Sequence, residues 1–177
     1  MKGLVFIATS LDGYIADAGE GLGWLQASGG DPDEDYGYAA FFGAVDVLLM
    51  GRRTYQKVLG FDAWPYEGRR VIVASRSLPA SDDAPPGGVE VTGERVARLF
   101  DRLAADGIER VYVDGGRLIS SCLEAGLIDE LIITRVPVVL GGGVPLFGAM
   151  AGPVDLRHVA TRSFPSGFVQ SHYVRPR

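Results

Sequence analysis

Apolar positions recur along the chain in two alternating rhythms. Short runs rich in β-branched and aliphatic residues, Leu4 to Ala8, Val45 to Met50, Arg70 to Ala74, Val89 to Thr92, Arg110 to Asp114 and Leu131 to Pro137, have the length and composition of strands. Between them, Asp35 to Gly43, Thr54 to Leu59, Glu94 to Ala105 and Leu118 to Ala125 carry the apolar spacing of helices. The third is the clearest, with Val96, Leu99, Phe100 and Leu103 on one face and Arg95, Arg98, Asp101 and Arg102 on the other, so it should cover one side of a sheet. Strands alternating with helices predict a mostly parallel sheet with helices on both faces. The rhythm changes in the last quarter. There Val154 to Phe164 and Gly167 to Val174 are separated only by Pro165-Ser166, which predicts a C-terminal antiparallel hairpin. Ser81 to Gly88, with two Asp, two Pro and two Gly, reads as an exposed connection.

Composition narrows the classes. The chain has 177 residues, 47% of them hydrophobic and 22% charged, and is expected to form a single domain over 1–177. A net charge of -5 argues against nucleic acid or an anionic membrane as partner, so any phosphate must be met by local chemistry. Cys122 is the only cysteine, which excludes an internal disulfide and a cysteine zinc cluster and fits a reducing compartment. The first apolar run is broken by Thr9, Ser10 and Asp12 before it could form a signal-peptide core, and no run approaches the roughly 18 residues of a membrane span. A soluble, cytoplasmic protein is expected. His158 and His172 are isolated on late strands, so no metal is expected.

Three strand ends carry anion-binding chemistry. Val111-Tyr112-Val113-Asp114 runs into Gly115-Gly116 and then into the helical pattern of Arg117, Leu118 and Ile119. At such a junction the absent side chains admit a ligand to the backbone, and the unpaired N–H groups of the first helical turn attract an anion. A glycine pair also serves a plain tight turn. Val47 to Met50 ends in Gly51-Arg52-Arg53-Thr54, which adds guanidinium and hydroxyl groups suited to phosphate oxygens, or makes a solvated basic turn. Val71 to Ala74 ends in Ser75-Arg76-Ser77, an arginine between hydroxyls of the kind that holds a ribose 2′-phosphate.

These segments resemble the dihydrofolate-reductase-like superfamily, and most closely the reductase domain of bacterial riboflavin biosynthesis as a stand-alone homologue. The likeness is carried by Ser10-Leu11-Asp12-Gly13-Tyr14-Ile15-Ala16, Met50-Gly51-Arg52-Arg53-Thr54-Tyr55, Ser75-Arg76, Val113-Asp114-Gly115-Gly116, Leu123 to Leu131 and Gly141-Gly142-Gly143-Val144-Pro145-Leu146-Phe147. It implies an α/β, dihydrofolate-reductase-like three-layer fold and an NADPH-dependent oxidoreductase acting on a small heterocyclic substrate. That activity would be most like 5-amino-6-(5-phosphoribosylamino)uracil reductase. It also implies a homodimer, and a cofactor lined by Thr9, Trp24, Gly51, Arg52, Thr54, Ser75, Arg76, Gly115, Gly116, Arg117, Leu118 and Ile119.

Two carboxylates are candidate catalytic residues. Asp114 matches an acidic residue that the resemblance places beside the substrate. Asp35, sixteen residues before Gly51, matches the spacing of the carboxylate in folate-reducing relatives, or completes an acidic helix start with Asp31, Asp33 and Glu34. Asp12 and Leu22 are further candidates for substrate contact, Asp12 also fitting an ordinary Asp-Gly turn. Trp24 would close over the nicotinamide or serve as an anchor. Two other functions stay open: a dihydrofolate reductase dependent on Asp35, and a protein that senses NADPH without catalysis.

Overall fold

The computed structural model describes residues 1–31, 33–78 and 88–176, so of the connection expected over Ser81 to Gly88 only Gly88 is described. Along the chain the elements are β1 (Lys2–Thr9), β2 (Tyr14–Ala16), α1 (Gly23–Ala27), α2 (Tyr38–Gly43), β3 (Val47–Gly51), α3 (Arg52–Val58), β4 (Arg70–Ala74), β5 (Val89–Thr92), α4 (Val96–Ala105), β6 (Arg110–Asp114), α5 (Gly116–Glu124), β7 (Glu130–Arg135), β8 (Val144–Pro145), β9 (Arg157–Ser163) and β10 (Val169–Val174). Eight strands form one sheet in the order β5-β4-β3-β6-β1-β7-β10-β9, while β2 and β8 pair separately. Neighbours are parallel from β5 through β7, and β10 runs antiparallel to both β7 and β9. This is the dihydrofolate-reductase-like mixed sheet with a terminal hairpin that the sequence predicts.

Two apolar layers explain the continuous hydrophobic character of the central strands, since a strand covered on both faces has no polar side. On one face Val47 and Leu49 of β3, Ile72 of β4 and Val111 and Val113 of β6 pack with Leu99, Phe100 and Leu103 of α4 and with Ile119, Cys122 and Leu123 of α5. Cys122 is completely buried there, and desolvation pushes its thiol up to about 12. On the other face Leu48, Met50, Val71, Val73 and Tyr112 meet Tyr55 and Val58 of α3, with Tyr38, Phe41 and Phe42 of α2 alongside. A third cluster, Val136, Phe164 and Phe168, joins the hairpin to Trp24 and Tyr36.

The helix expected over Asp35 to Gly43 is shorter than its apolar pattern suggests. Tyr36 and Gly37 have φ of 56° and 85°, and this left-handed step delays the helix to Tyr38. The very short β2, β8 and α1 were not expected, because two to five residues cannot display a period.

Candidate active site

The parallel pairing aligns the carboxyl ends of β4, β3 and β6, with Gly51 opposite Ala74 and Met50 opposite Asp114. Open α/β sheets bind ligands at such ends. A cavity of ≈ 600 Å³ lies here, lined by Gly51, Arg52, Thr54, Ser75, Arg76, Gly115, Gly116, Arg117 and Leu118, with Arg53, Ser77 and Ser121 beside them. Thus nine of the twelve cofactor residues expected from sequence come together in one cleft. Among the described residues its lining holds four arginines and no carboxylate.

Each glycine at this junction has its own physical reason. Gly115 has φ of 100°, which ordinary side chains avoid, and a Cβ there would stand 2.6 Å from Thr54 Oγ1. Gly116 makes room for another part of the chain, since a Cβ would lie 2.5 Å from the carbonyl oxygen of Pro145. Gly51 differs from both. Its φ of -79° suits any residue, yet a Cβ would point into open space with nothing within 4 Å. The strand conformation does not need glycine here, and the missing side chain leaves that side of the cleft open.

At Thr54 and Gly115 this cleft adjoins a second, more apolar pocket of ≈ 310 Å³. Phe6, Leu22, Tyr66 and Tyr112 form part of its wall and Asp114 lies in it. Burial raises the Asp114 carboxyl to about 6, only partly offset by the Gly115 N–H. Among the described residues no cation contributes to that shift. Burial, and secondarily the charge of Asp114, also raises the phenols of Tyr38, to about 12, and Tyr66. These hydroxyls stay protonated donors at neutral pH. The Tyr112 hydroxyl donates to the Phe6 carbonyl at 2.8 Å, which ties β6 to β1 beneath the pocket.

Other expected site residues are placed elsewhere. Ile119 is completely buried in the core, because the first turn of α5 turns that side chain toward the sheet. Thr9 is buried and lines a different cavity with Ser10 and Asp12. Trp24 packs on the Phe164 and Phe168 cluster and does not line the cleft. Asp12 is occupied by its own loop: it accepts the Ser10 hydroxyl at 2.7 Å and the N–H groups of Leu140 and Gly141, and these bonds hold its carboxyl below the usual range. Asp35 accepts the N–H of Ala39 at 2.9 Å and of Gly37 at 2.8 Å, which lowers its carboxyl as well. It caps α2 and lines a cavity of ≈ 260 Å³ that adjoins the Asp114 pocket at Phe6, Ala8 and Leu25. Sequence reasoning missed Glu20, Tyr66 and Tyr112 as pocket residues. Tyr66 and Glu20 come from irregular segments without a period, and Tyr112 is indistinguishable in sequence from a core residue of its strand.

Comparison with known proteins agrees with this architecture. The family model described as the RibD C-terminal domain matches residues 2–170. The Bacillus subtilis (strain 168) protein YwjB, itself uncharacterised, is 34% identical over 176 residues and 98% of each chain. The crystal structure of a putative riboflavin biosynthesis protein from Shewanella sp. PV-4 is similar with a TM-score of 0.94 and 38% identity, covering 100% of both chains. A diaminohydroxyphosphoribosylaminopyrimidine deaminase/5-amino-6-(5-phosphoribosylamino)uracil reductase from Thermotoga maritima shares the fold, with a TM-score of 0.72 and 18% identity over 56% of its length. With a matching fold and a family model that spans nearly the whole chain, this protein belongs to the RibD C-terminal domain family and has its reductase-like fold.

Proposed function

We propose that this chain is an NADPH-dependent oxidoreductase that reduces a small heterocyclic substrate held beside Asp114. The observation that carries this reading is the junction of two unlike cavities: a cleft lined by arginines, with no carboxylate among its described residues, opens beside an apolar pocket that contains an ionisable carboxyl. Arg52, Thr54 and the N-terminal turn of α5 would hold the cofactor's pyrophosphate. Arg76, between Ser75 and Ser77, would hold the 2′-phosphate and so favour NADPH over NADH. The open space at Gly51 fits a ligand passing close to the backbone. When bound, the nicotinamide supplies the hydride. The chain's own contribution is to orient the reactants, exclude water with the apolar walls, and hold or release a proton at the Asp114 carboxyl, whose affinity for it suits near-neutral conditions.

The activity named for the Thermotoga maritima protein supports a pyrimidine-type ring as the substrate's core. A dihydrofolate reductase would depend on Asp35, and both oxygens of that carboxylate already accept backbone N–H groups. A non-catalytic NADPH sensor would bind the nucleotide without oxidising it.

The direct test is a fluorescence titration with NADPH and NADH, repeated for Arg76→Ala. NADPH is expected to bind in the micromolar range and NADH much more weakly, with the variant losing about 1–3 kcal/mol of NADPH affinity and little of NADH affinity. If neither nucleotide binds, this reading is wrong. The same reading carries a homodimer, supported by β9, an edge strand with every residue exposed. Light scattering after size exclusion is expected to give the mass of two chains; the mass of one would overturn the dimer.

A further inference from the structure

Three phenols lie close enough to the Asp114 carboxyl to feel its charge, those of Tyr38, Tyr66 and Tyr112. Two of them are committed elsewhere. Tyr112 gives its hydroxyl proton to the Phe6 carbonyl, and Tyr38 stacks on Phe42 with 5.5 Å between ring centroids, outside the lining of the pocket. Tyr66 shares that lining with Asp114. Of the described buried residues there, Tyr66 and Tyr112 are the two that carry a polar side-chain group. Tyr66 is only 8% exposed, yet its hydroxyl has no hydrogen-bond partner among the described residues and, unlike the sealed indole N–H of Trp24, remains accessible. A phenol this deeply buried and left unpaired is a standing cost that a ligand can remove.

The position of the Tyr66 ring is fixed by its neighbours. Residues 65–68 form a turn in which Gly68 has φ of 73°, and the Arg69 N–H donates to the Tyr66 carbonyl at 3.1 Å. Arg69 also anchors the segment, because its guanidinium donates to the Val45 carbonyl at 3.0 Å and lies over the Phe42 ring. The Tyr66 ring meets Trp64 edge-on, with 5.3 Å between centroids, and Phe42 at 5.9 Å. The phenol therefore cannot swing out without unpacking an aromatic cluster. Burial keeps it protonated, so at neutral pH it has a proton to give, whereas an ionised Asp114 carboxylate can only accept.

We infer that Tyr66 and Asp114 together read one edge of a cyclic amide in the substrate ring, the Tyr66 hydroxyl donating to a ring carbonyl oxygen and the Asp114 carboxylate accepting the adjacent ring N–H. This rests on the reductase reading and makes Tyr66 a specificity residue of the same site. An edge of donors alone would leave the phenol's proton unpaired, and an edge of acceptors alone would face a carboxylate. A carbonyl beside an N–H satisfies both groups, and the apolar walls at Phe6 and Leu22 strengthen each bond by keeping water away. The uracil ring named in the activity of the Thermotoga maritima protein carries such edges. Substituents beyond that edge, a phosphorylated sugar included, are left to the mouth of the pocket, where Arg53 and Lys57 lie exposed.

The test compares wild type with Tyr66→Phe. Both are first shown to take up NADPH by nucleotide fluorescence, and are then saturated with NADP⁺, which has no hydride to transfer. Each is titrated by calorimetry with 5-amino-6-(5-phosphoribosylamino)uracil carrying carbon-13 at its ring carbonyls, and infrared difference spectra of the bound compound are recorded. Wild type is expected to bind about tenfold more tightly than the variant. One carbonyl stretch of the bound ring should lie at lower frequency in wild type than in the variant. Without ligand, the variant's melting temperature should equal or exceed that of wild type, because phenylalanine keeps the ring packing and removes an unpaired hydroxyl. Equal affinity, an unchanged carbonyl band, a lower melting temperature in the variant, or no binding by wild type that has taken up NADPH would overturn the inference. Failure to take up NADPH is a different result, because it removes the reductase reading itself.

Discussion

Asp114→Asn is expected to make the protein more stable at neutral pH while stopping hydride transfer. The sign follows from the raised carboxyl. The folded state binds the Asp114 proton with an affinity near 6, against an ordinary value of 3.8, so stability falls as pH rises between those values and the ionised group remains a cost above them. A shift of about two units corresponds to at most about 3 kcal/mol, and partial solvent access reduces it to about 1–3 kcal/mol. Asparagine has nearly the same shape and no charge, so the variant recovers that amount at pH 7. Below about pH 4 the wild-type carboxyl is itself neutral and the difference should vanish. Denaturant melts at pH 4 and pH 7 measure this directly; a variant that is less stable at pH 7 would contradict the buried-carboxyl picture. In the same variant, NADPH oxidation with a substrate that wild type reduces should fall by about 10²–10⁴, with NADPH affinity retained. Retained turnover would show that Asp114 handles no proton.

Gly51→Leu separates the cleft from the fold. The backbone at Gly51 is extended and an added Cβ would have nothing within 4 Å, so the variant's melting temperature is expected to stay within about 1–2 °C of wild type. It would, however, occupy the cleft where the cofactor must approach the strand end. NADPH affinity should drop about a hundredfold or more, about 2.7 kcal/mol. A fully folded Gly51→Leu protein with unchanged affinity would move the cofactor away from this strand end. Gly115 could not give so clean an answer, since its positive φ and the nearby Thr54 hydroxyl make any substitution a structural lesion.

The sheet is legible in the sequence because its strands are buried on both faces and appear as unbroken apolar runs; Arg70–Ala74, Val89–Thr92 and Arg110–Asp114 coincide with their expected bounds. The residues of the candidate cleft are legible for a related reason. Parallel strands deliver their carboxyl ends to one edge, so glycine, arginine and hydroxyl residues that follow apolar runs collect there whatever their separation along the chain. Residues placed by loop geometry are not legible in this way. Glu20 reaches the pocket because Asp17 folds the chain back, and Asp35 is diverted to capping because Tyr36 and Gly37 turn left-handed. Neither event leaves a periodic trace. Thr9 and Ile119 show the converse: each adjoins a cavity-lining residue in sequence, Ala8 and Leu118, yet lies outside the cleft because neighbouring side chains on a strand or helix diverge.

The buried thiol of Cys122 makes the protein its own reporter. It lies on α5, the helix whose first turn borders the candidate cleft, yet its sulfur is sealed against the sheet. A thiol-specific dye can therefore react only during the brief openings of that core, and the labelling rate counts those openings. Any ligand that binds the closed form slows labelling in proportion to its occupancy. A library of candidate heterocycles could thus be ranked on unmodified protein from one cysteine's reaction rate, before any turnover assay exists.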